Sequence, residues 1–327
     1  MIRFSLLAAL LLFAAQSGRS DTLRLGLPLD CVPGESCFIQ NFVDTDPGPD
    51  AVDFACGGLT YDGHKGTDFA LVSRAAMVEG VTVRAAAPGV VRASRDGMAD
   101  TGRDGTMPED LDGRECGNGV VIDHGGGWES QYCHLKAGSV SVARGARVAT
   151  GTPLGEVGYS GLTETPHLHL SLRKDGTVVD PFAPDGTRRC DPDARPGDTL
   201  WADPITYVPG GLIALGAAAG VPAYDAIKAG RAGRASLPAD APALVGWAYL
   251  FGARAGDVVE IVIEQPDGAI WHRHDIAFEK PFAQAFRASG KRRPADGWQV
   301  GEWTISARMI RDGAVISGAD VAVTIRP

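Results

Sequence analysis

The chain has 327 residues, 44% of them hydrophobic and 22% charged, with a formal net charge of −9. That is the composition of a soluble globular protein long enough for two domains, and an acidic balance without a basic block excludes a nucleic-acid partner. The 43 glycines and 21 prolines favour turns and short strands over long helices.

Residues 1–20 read as a secretory signal peptide. Arg3 supplies a positive start, Phe4 to Ala15 is an apolar run too short to span a bilayer, and Ser17, Gly18 and Ser20 offer a small-residue cleavage region. No cysteine lies there to carry a lipoprotein anchor, and the next apolar stretch, Gly210 to Ala223, is broken by glycine and proline. The expected location is therefore exported, periplasmic or extracellular, with no transmembrane segment. In an oxidising compartment the six cysteines, Cys31, Cys37, Cys56, Cys116, Cys133 and Cys190, read as disulfides, although six allow 15 connectivities.

Residues 21–56 are irregular, with a loop at Asp44 to Pro49 and a small ring that Cys31 and Cys37 could close. They read as an N-terminal wrap tied by disulfides. Next comes Gly63-His64-Lys65-Gly66-Thr67-Asp68, whose glycines argue against a helix. His64 is placed in a turn and Asp68 at the start of a strand. From Val81 short β segments follow at the spacing of an all-β domain: Val81 to Ala86, Gly89 to Ala93, Gly119 to Asp123, Trp128 to Leu135, Arg147 to Ala149, Gly155 to Val157 and His167 to Arg173. Folding the hairpin about Gly125 brings Cys116 and Cys133 opposite each other, within disulfide reach. In the last strand, alternation turns His167 and His169 to one face and Leu168 and Leu170 to the other. Asp96 to Glu115 is a long polar loop of the kind that is usually functional or mobile.

The β domain is expected to cover residues 57–190. Residues 191–240 read as a Pro/Ala/Gly-rich linker with a short helix over 223–231. Residues 241–327 return to β segments, at Val245 to Phe251, Val258 to Glu264, Ala269 to Ile276, Gly301 to Arg308 and Val315 to Ile325, which fits an immunoglobulin-like sandwich. A core role is expected for some of Trp247, Trp271, Trp298 and Trp303, with a sugar-stacking surface as the alternative, and His272 and His274 are expected on a strand surface.

Taken together, the segments Gly63 to Phe69, Gly117 to Gly125, Tyr132-Cys133-His134-Leu135, Gly151 to Gly161 and Pro166-His167-Leu168-His169 resemble the LytM/lysostaphin-type zinc metalloendopeptidases over about residues 60–182. The resemblance implies an all-β chain with a small antiparallel metallopeptidase core of the duplicated hybrid motif type. It implies zinc held by His64, Asp68 and His169, with a fourth position left open for hydrolysis. It also implies that His134 and His167 are the metal-free catalytic pair, one taking a proton and the other steadying a developing oxyanion. The expected function is cleavage of peptide bonds in peptidoglycan stems or cross-links. The alternatives are a non-enzymatic cell-wall scaffold or activator, and a secreted protease acting on protein substrates such as glycine-rich ones. If the family topology holds, the Asp96 to Glu115 insertion lies beside the groove.

Overall fold

The computed structural model describes residues 23–102, 111–188, 190 and 199–327. The signal-peptide reading lies outside these residues, as does the middle of the polar loop. In chain order the first part comprises β1 (Cys37–Asn41), β2 (Thr67–Leu71), α1 (Arg74–Glu79), β3 (Thr82–Arg84), β4 (Gly89–Arg95), β5 (Asn118–Gly125), β6 (Trp128–Leu135), β7 (Arg147–Val148), β8 (Pro153–Glu156), β9 (His167–Lys174) and β10 (Thr177–Val178). Eight of these strands form one sheet, in the order β1-β2-β9-β6-β5-β4-β7 with β10 beside β9; β3 and β8 pair separately. The pairs in the large sheet are antiparallel.

Alternation decides which face of this sheet is core. Leu168, Leu170 and Leu172 of β9 are buried with Val120 and Ile122 of β5 and Tyr132 of β6. The β5–β6 hairpin turns at Gly125, Gly126 and Gly127, which hold φ of 80°, 59° and 83°, a left-handed run that side-chain-bearing residues resist. The N-terminal segment does more than wrap the domain. Its β1 is the edge strand of the sheet, and Phe38, Phe42 and Phe54 enter the same core.

The second part comprises β11 (Gly211–Ala218), α2 (Tyr224–Lys228), β12 (Ser236–Pro238), β13 (Ala243–Ala253), β14 (Val258–Glu264), β15 (Ile270–Ala277), β16 (Phe282–Arg292), β17 (Gly301–Arg311) and β18 (Ala314–Arg326). It is a second β domain, with a three-stranded sheet, β11-β13-β16, and a five-stranded one, β12-β18-β17-β14-β15. The short helix appears as α2. The linker expected over 191–240 is corrected here. Residues 211–218 are β11, paired along β13 from Gly211–Phe251 to Ala218–Val245, and residues 236–238 are β12, parallel to β18. β11 reads Gly-Leu-Ile-Ala-Leu-Gly-Ala-Ala, too rich in glycine and alanine to show strand alternation, and is held by its partner rather than by propensity. β16 was missed for a similar reason, its large apolar residues being interrupted by Gln284, Arg287 and Gly290.

Trp298 and Trp303 lie in the core with Trp271 packed against them, their ring centroids 5.3 to 5.7 Å apart. His272 and His274 lie on β15, each bonded to the Ser289 hydroxyl. The two parts share apolar contacts. Phe251 of β13 belongs to the first core, and its ring centroid lies 4.6 Å from that of Phe38. Among the described residues no helix is long and apolar enough to cross a membrane.

The cysteines pair as Cys31–Cys37, Cys56–Cys190 and Cys116–Cys133. The third is the pair expected from the hairpin, and the first closes the small ring that the spacing of Cys31 and Cys37 allowed. The second joins residues 134 apart in sequence and has no local signal.

Candidate active site

The site is assembled on β2, β6, β9 and the turn before β2. Asp68 stands directly across the ladder from His169, and Ala70 from His167. Opposed residues of an antiparallel pair share a face, so Asp68 and His169 project together, and His167, two residues earlier, joins them. His64 enters from the turn. Gly66 leaves room for the His169 ring, since a Cβ there would lie 2.6 Å from His169 Nε2.

The neighbours of each histidine decide which ring nitrogen is free, an assignment read from the hydrogen-bond pattern. His64 Nδ1 donates to the Phe42 carbonyl at 2.7 Å, which leaves Nε2 as a lone pair. Ser171 Oγ donates to the Lys65 carbonyl at 2.8 Å, so it accepts from His169 Nε2–H at 3.0 Å and leaves Nδ1 free. Asn41 Nδ2 donates to Asp68 Oδ2 at 2.9 Å.

His64 Nε2 and His169 Nδ1 are 3.2 Å apart, His64 Nε2 is 3.2 Å from Asp68 Oδ2, and His169 Nδ1 is 2.7 Å from Asp68 Oδ1. Two imidazole lone pairs and a buried carboxylate thus converge on one point, an arrangement that only a cation or a proton satisfies. One ligand atom from each residue lies within 4.8 Å of the other two, close enough for a single ion to be shared. These three residues could hold a metal ion, and their donor set fits zinc. Burial opposes ionisation of Asp68, but His167, His64 and His169 outweigh it and hold the carboxyl well below the usual range. Burial likewise opposes a charged His64, yet Asp68 and the Phe42 carbonyl raise its pKa: the carboxylate that would share a cation also draws a proton.

His134 reaches this face against the alternation of its strand. Cys133 is the ladder partner of His169, so His134, the next residue, should point into the core. Instead β6 carries one extra residue against β5 between Tyr132 and Leu135, and His134 adopts φ of 62°. Such a bulge re-aims a side chain at the cost of local strain. Backbone bonds hold it, from His134 N–H to the Cys116 carbonyl at 2.8 Å and from His134 Nδ1 to the Ser160 carbonyl at 2.8 Å. His134 therefore presents Nε2, and burial together with nearby His167 and His169 keeps its pKa well below the ordinary histidine value.

His167 Nδ1 donates to the Thr165 carbonyl at 2.8 Å, leaving Nε2 3.5 Å from Asp68 Oδ1. The His134 and His167 ring centroids are 4.7 Å apart. The five residues identified in the sequence thus come together in one place, and His64, the one absent from the lining of the adjoining cleft, is only 2% exposed. That cleft has a volume of about 430 Å³. His124 stands elsewhere, bridging the Pro88 carbonyl and Ser130 Oγ.

The described ends of the Asp96 to Glu115 loop brace this construction. Asn118 and Met98 exchange hydrogen bonds, Asp100 accepts from Tyr159 N–H and Ala137 N–H, and Glu115 accepts from Leu162 N–H. Ser160, which orients His134, lies between these ties. Sequence reasoning missed Asn41, Ser171, Thr165, Ser160 and Tyr61, whose ring lies 4.5 Å from that of His64. Ser171 alone had a local signal, since it continues the His167-x-His169 alternation by two residues.

A β-sheet that gathers a His–Asp–His ligand set beside an open cleft defines a metallopeptidase domain. It is a domain of peptidase family M23, the LytM/lysostaphin type: residues 62–181 match the description Peptidase family M23. A DD-carboxypeptidase/endopeptidase Mpg from Neisseria meningitidis serogroup B is 35% identical over 122 residues, which is 37% of this chain and 22% of that protein. The cell division protein DipM of Caulobacter vibrioides is 37% identical over 68 residues, 21% of this chain and 11% of that protein. The chain thus spans 22% or less of the length of these curated relatives. The catalytic domain of the antimicrobial peptidase lysostaphin from Staphylococcus simulans is 22% identical, with a TM-score of 0.27 over 43% of this chain and 85% of that one.

Proposed function

We propose that this protein is an exported zinc-dependent endopeptidase that hydrolyses peptide bonds in the stems or cross-links of peptidoglycan. The observation that carries the reading is the convergence of three metal-ligand atoms with two further imidazoles that face the same cleft and whose Nδ1 atoms are already bonded. His64, Asp68 and His169 would hold the zinc ion, which supplies Lewis acidity and lowers the pKa of a coordinated water. His134, kept neutral by burial, is placed to accept a proton at Nε2. His167, whose Nδ1 proton is already given to a backbone carbonyl, would steady negative charge developing on the scissile carbonyl as an imidazolium, with a second proton at Nε2 and the Asp68 carboxylate 3.5 Å away. Ser160 and Thr165 hold the two rings in their tautomers, and Ser171 and Phe42 do the same for the ligands.

Residues 1–20 act as a signal peptide in this reading, and three disulfides agree with export to an oxidising compartment. Residues 21–190 form the peptidase unit, of the duplicated hybrid motif type. The second β domain, beginning near residue 210, is an immunoglobulin-like accessory sandwich. Its two sheets and its buried tryptophans support that assignment.

The test is digestion of purified sacculi followed by mass spectrometry of the released fragments. The wild type should release peptides cleaved within stems or cross-links, a chelator should abolish this and zinc should restore it. His134→Ala should lose turnover by at least about 100-fold while retaining its zinc. Absence of turnover on sacculi with a fully loaded site would favour a cell-wall scaffold or activator, and turnover of protein substrates alone would favour a secreted protease.

A further inference from the structure

The second domain forms part of the wall of the cleft. Ala283, at the start of β16, lines the cleft together with His167 and His169. A second groove, of about 300 Å³, shares Gln40, Asn41, Thr60 and Ala283 with it and continues along the junction between the domains. Its remaining lining comes from Gly58–Leu59 on the peptidase side and from Gly252–Arg254 and Pro281–Phe282 on the other. The junction is fixed on both sides of the groove. Gln284 Nε2 donates to Gln40 Oε1, Tyr249 O–H donates to Gln284 Oε1, and a Cβ on Gly252 would lie 2.8 Å from Leu59 Cδ2. Arg254 is exposed and is the one charged side chain among the lining residues.

We propose that this groove is a substrate subsite supplied by the accessory domain, and that it takes an extended peptide segment whose carboxylate pairs with Arg254. The inference rests on the peptidase reading and adds to it the substrate's charge and the domain that reads it. Continuity with the cleft puts one peptide in reach of both sites. Arg254 lies near the carboxylates of Asp53 and Asp257, which are not part of the groove lining; within that lining its exposed guanidinium is the one charge, and a carboxylate is the group that it binds in paired hydrogen bonds.

The experiment compares the full-length zinc-loaded protein with Arg254→Ala and Arg254→Lys on a fluorescent peptidoglycan stem dimer, with its carboxylates free or amidated. Binding is followed by anisotropy and turnover by chromatography. Arg254→Ala should raise Kd and KM for the free-carboxylate dimer about three- to tenfold, leave kcat unchanged, and bind the amidated dimer as the wild type does. Arg254→Lys should recover part of the loss. Equal effects on both dimers, or none on either, would overturn the proposal. Arg254-dependent binding without wild-type turnover would sink the peptidase reading and leave the subsite standing; turnover indifferent to Arg254 would do the reverse. Thermal unfolding of each variant separates a folding defect from either result.

Discussion

At the residue scale, Ser171 shows how a single hydroxyl sets up a ligand. It accepts one proton and donates another, so His169 must offer Nδ1 to the ligand cluster. Ser171→Ala leaves His169 Nε2 without that acceptor and frees the ring to adopt its other tautomer. The expected result is a loss of about 10- to 100-fold in zinc affinity, measured by competition with a chromophoric chelator, with the fold intact by circular dichroism. Unchanged affinity would mean that the Asp68 contact alone fixes the ring. Of the three ligand residues, the sequence displayed the types and the spacing. What selects Nδ1 of one histidine and Nε2 of the other depends on Phe42 and Ser171, which lie on different strands or their edges.

At the scale of elements, β6 is the strand on which local and global preferences conflict. Its alternation would bury His134, and the extra residue with φ of 62° turns the ring outward. The Cys116–Cys133 disulfide closes this strain from both sides, since Cys133 precedes the bulge and the Cys116 carbonyl accepts the His134 N–H. Replacing both cysteines by serine should lower stability by about 3 kcal/mol, the value expected for a loop of this length, and should lower kcat more than it raises KM. Equilibrium denaturation and steady-state kinetics on the proposed substrate check the two parts. A stability loss without a kcat effect would show that the bulge is held by its backbone bonds alone.

At the scale of the whole molecule, the second domain is anchored by a buried ion pair. Arg311 on β17 donates two bonds to Asp257, at 2.9 and 2.7 Å, and reaches the Pro209 and Gly252 carbonyls at the groove junction. Burial raises the Asp257 carboxyl, but Arg311 and the Arg254 N–H outweigh it and lower its pKa from 3.8. A carboxyl with a depressed folded pKa contributes stability that is fully present above its unfolded pKa and is lost as pH falls through the folded value. The wild type should therefore lose stability as pH falls below about 4. Arg311→Met should cost about 3 to 5 kcal/mol near neutral pH, because it strands the Asp257 charge, and should flatten this part of the acid limb. Urea unfolding at a series of pH values decides it; an unaltered acid limb in the variant would remove Asp257 from the account.

The sequence by itself determined the β character and the Cys116–Cys133 pair through alternation and turn glycines, and it supplied the peptidase segment with its five central residues through the family resemblance that its motifs carry together; His-x-His and His-x-x-x-Asp taken singly also fit surface residues. It did not show β11, β16 or the Cys56–Cys190 pair, since glycine- and alanine-rich strands and distant cysteines take their partners from packing rather than from local pattern. Only the tertiary structure decided the orientation of His134, the free nitrogen on each histidine and the contact of the second domain with the cleft. The His134 bulge, the Phe42 bond to His64 and the domain contact join segments far apart in the chain, whereas Thr165 and Ser171 set their histidines from two residues away along the chain, with Ser171 oriented in turn by the distant Lys65 carbonyl.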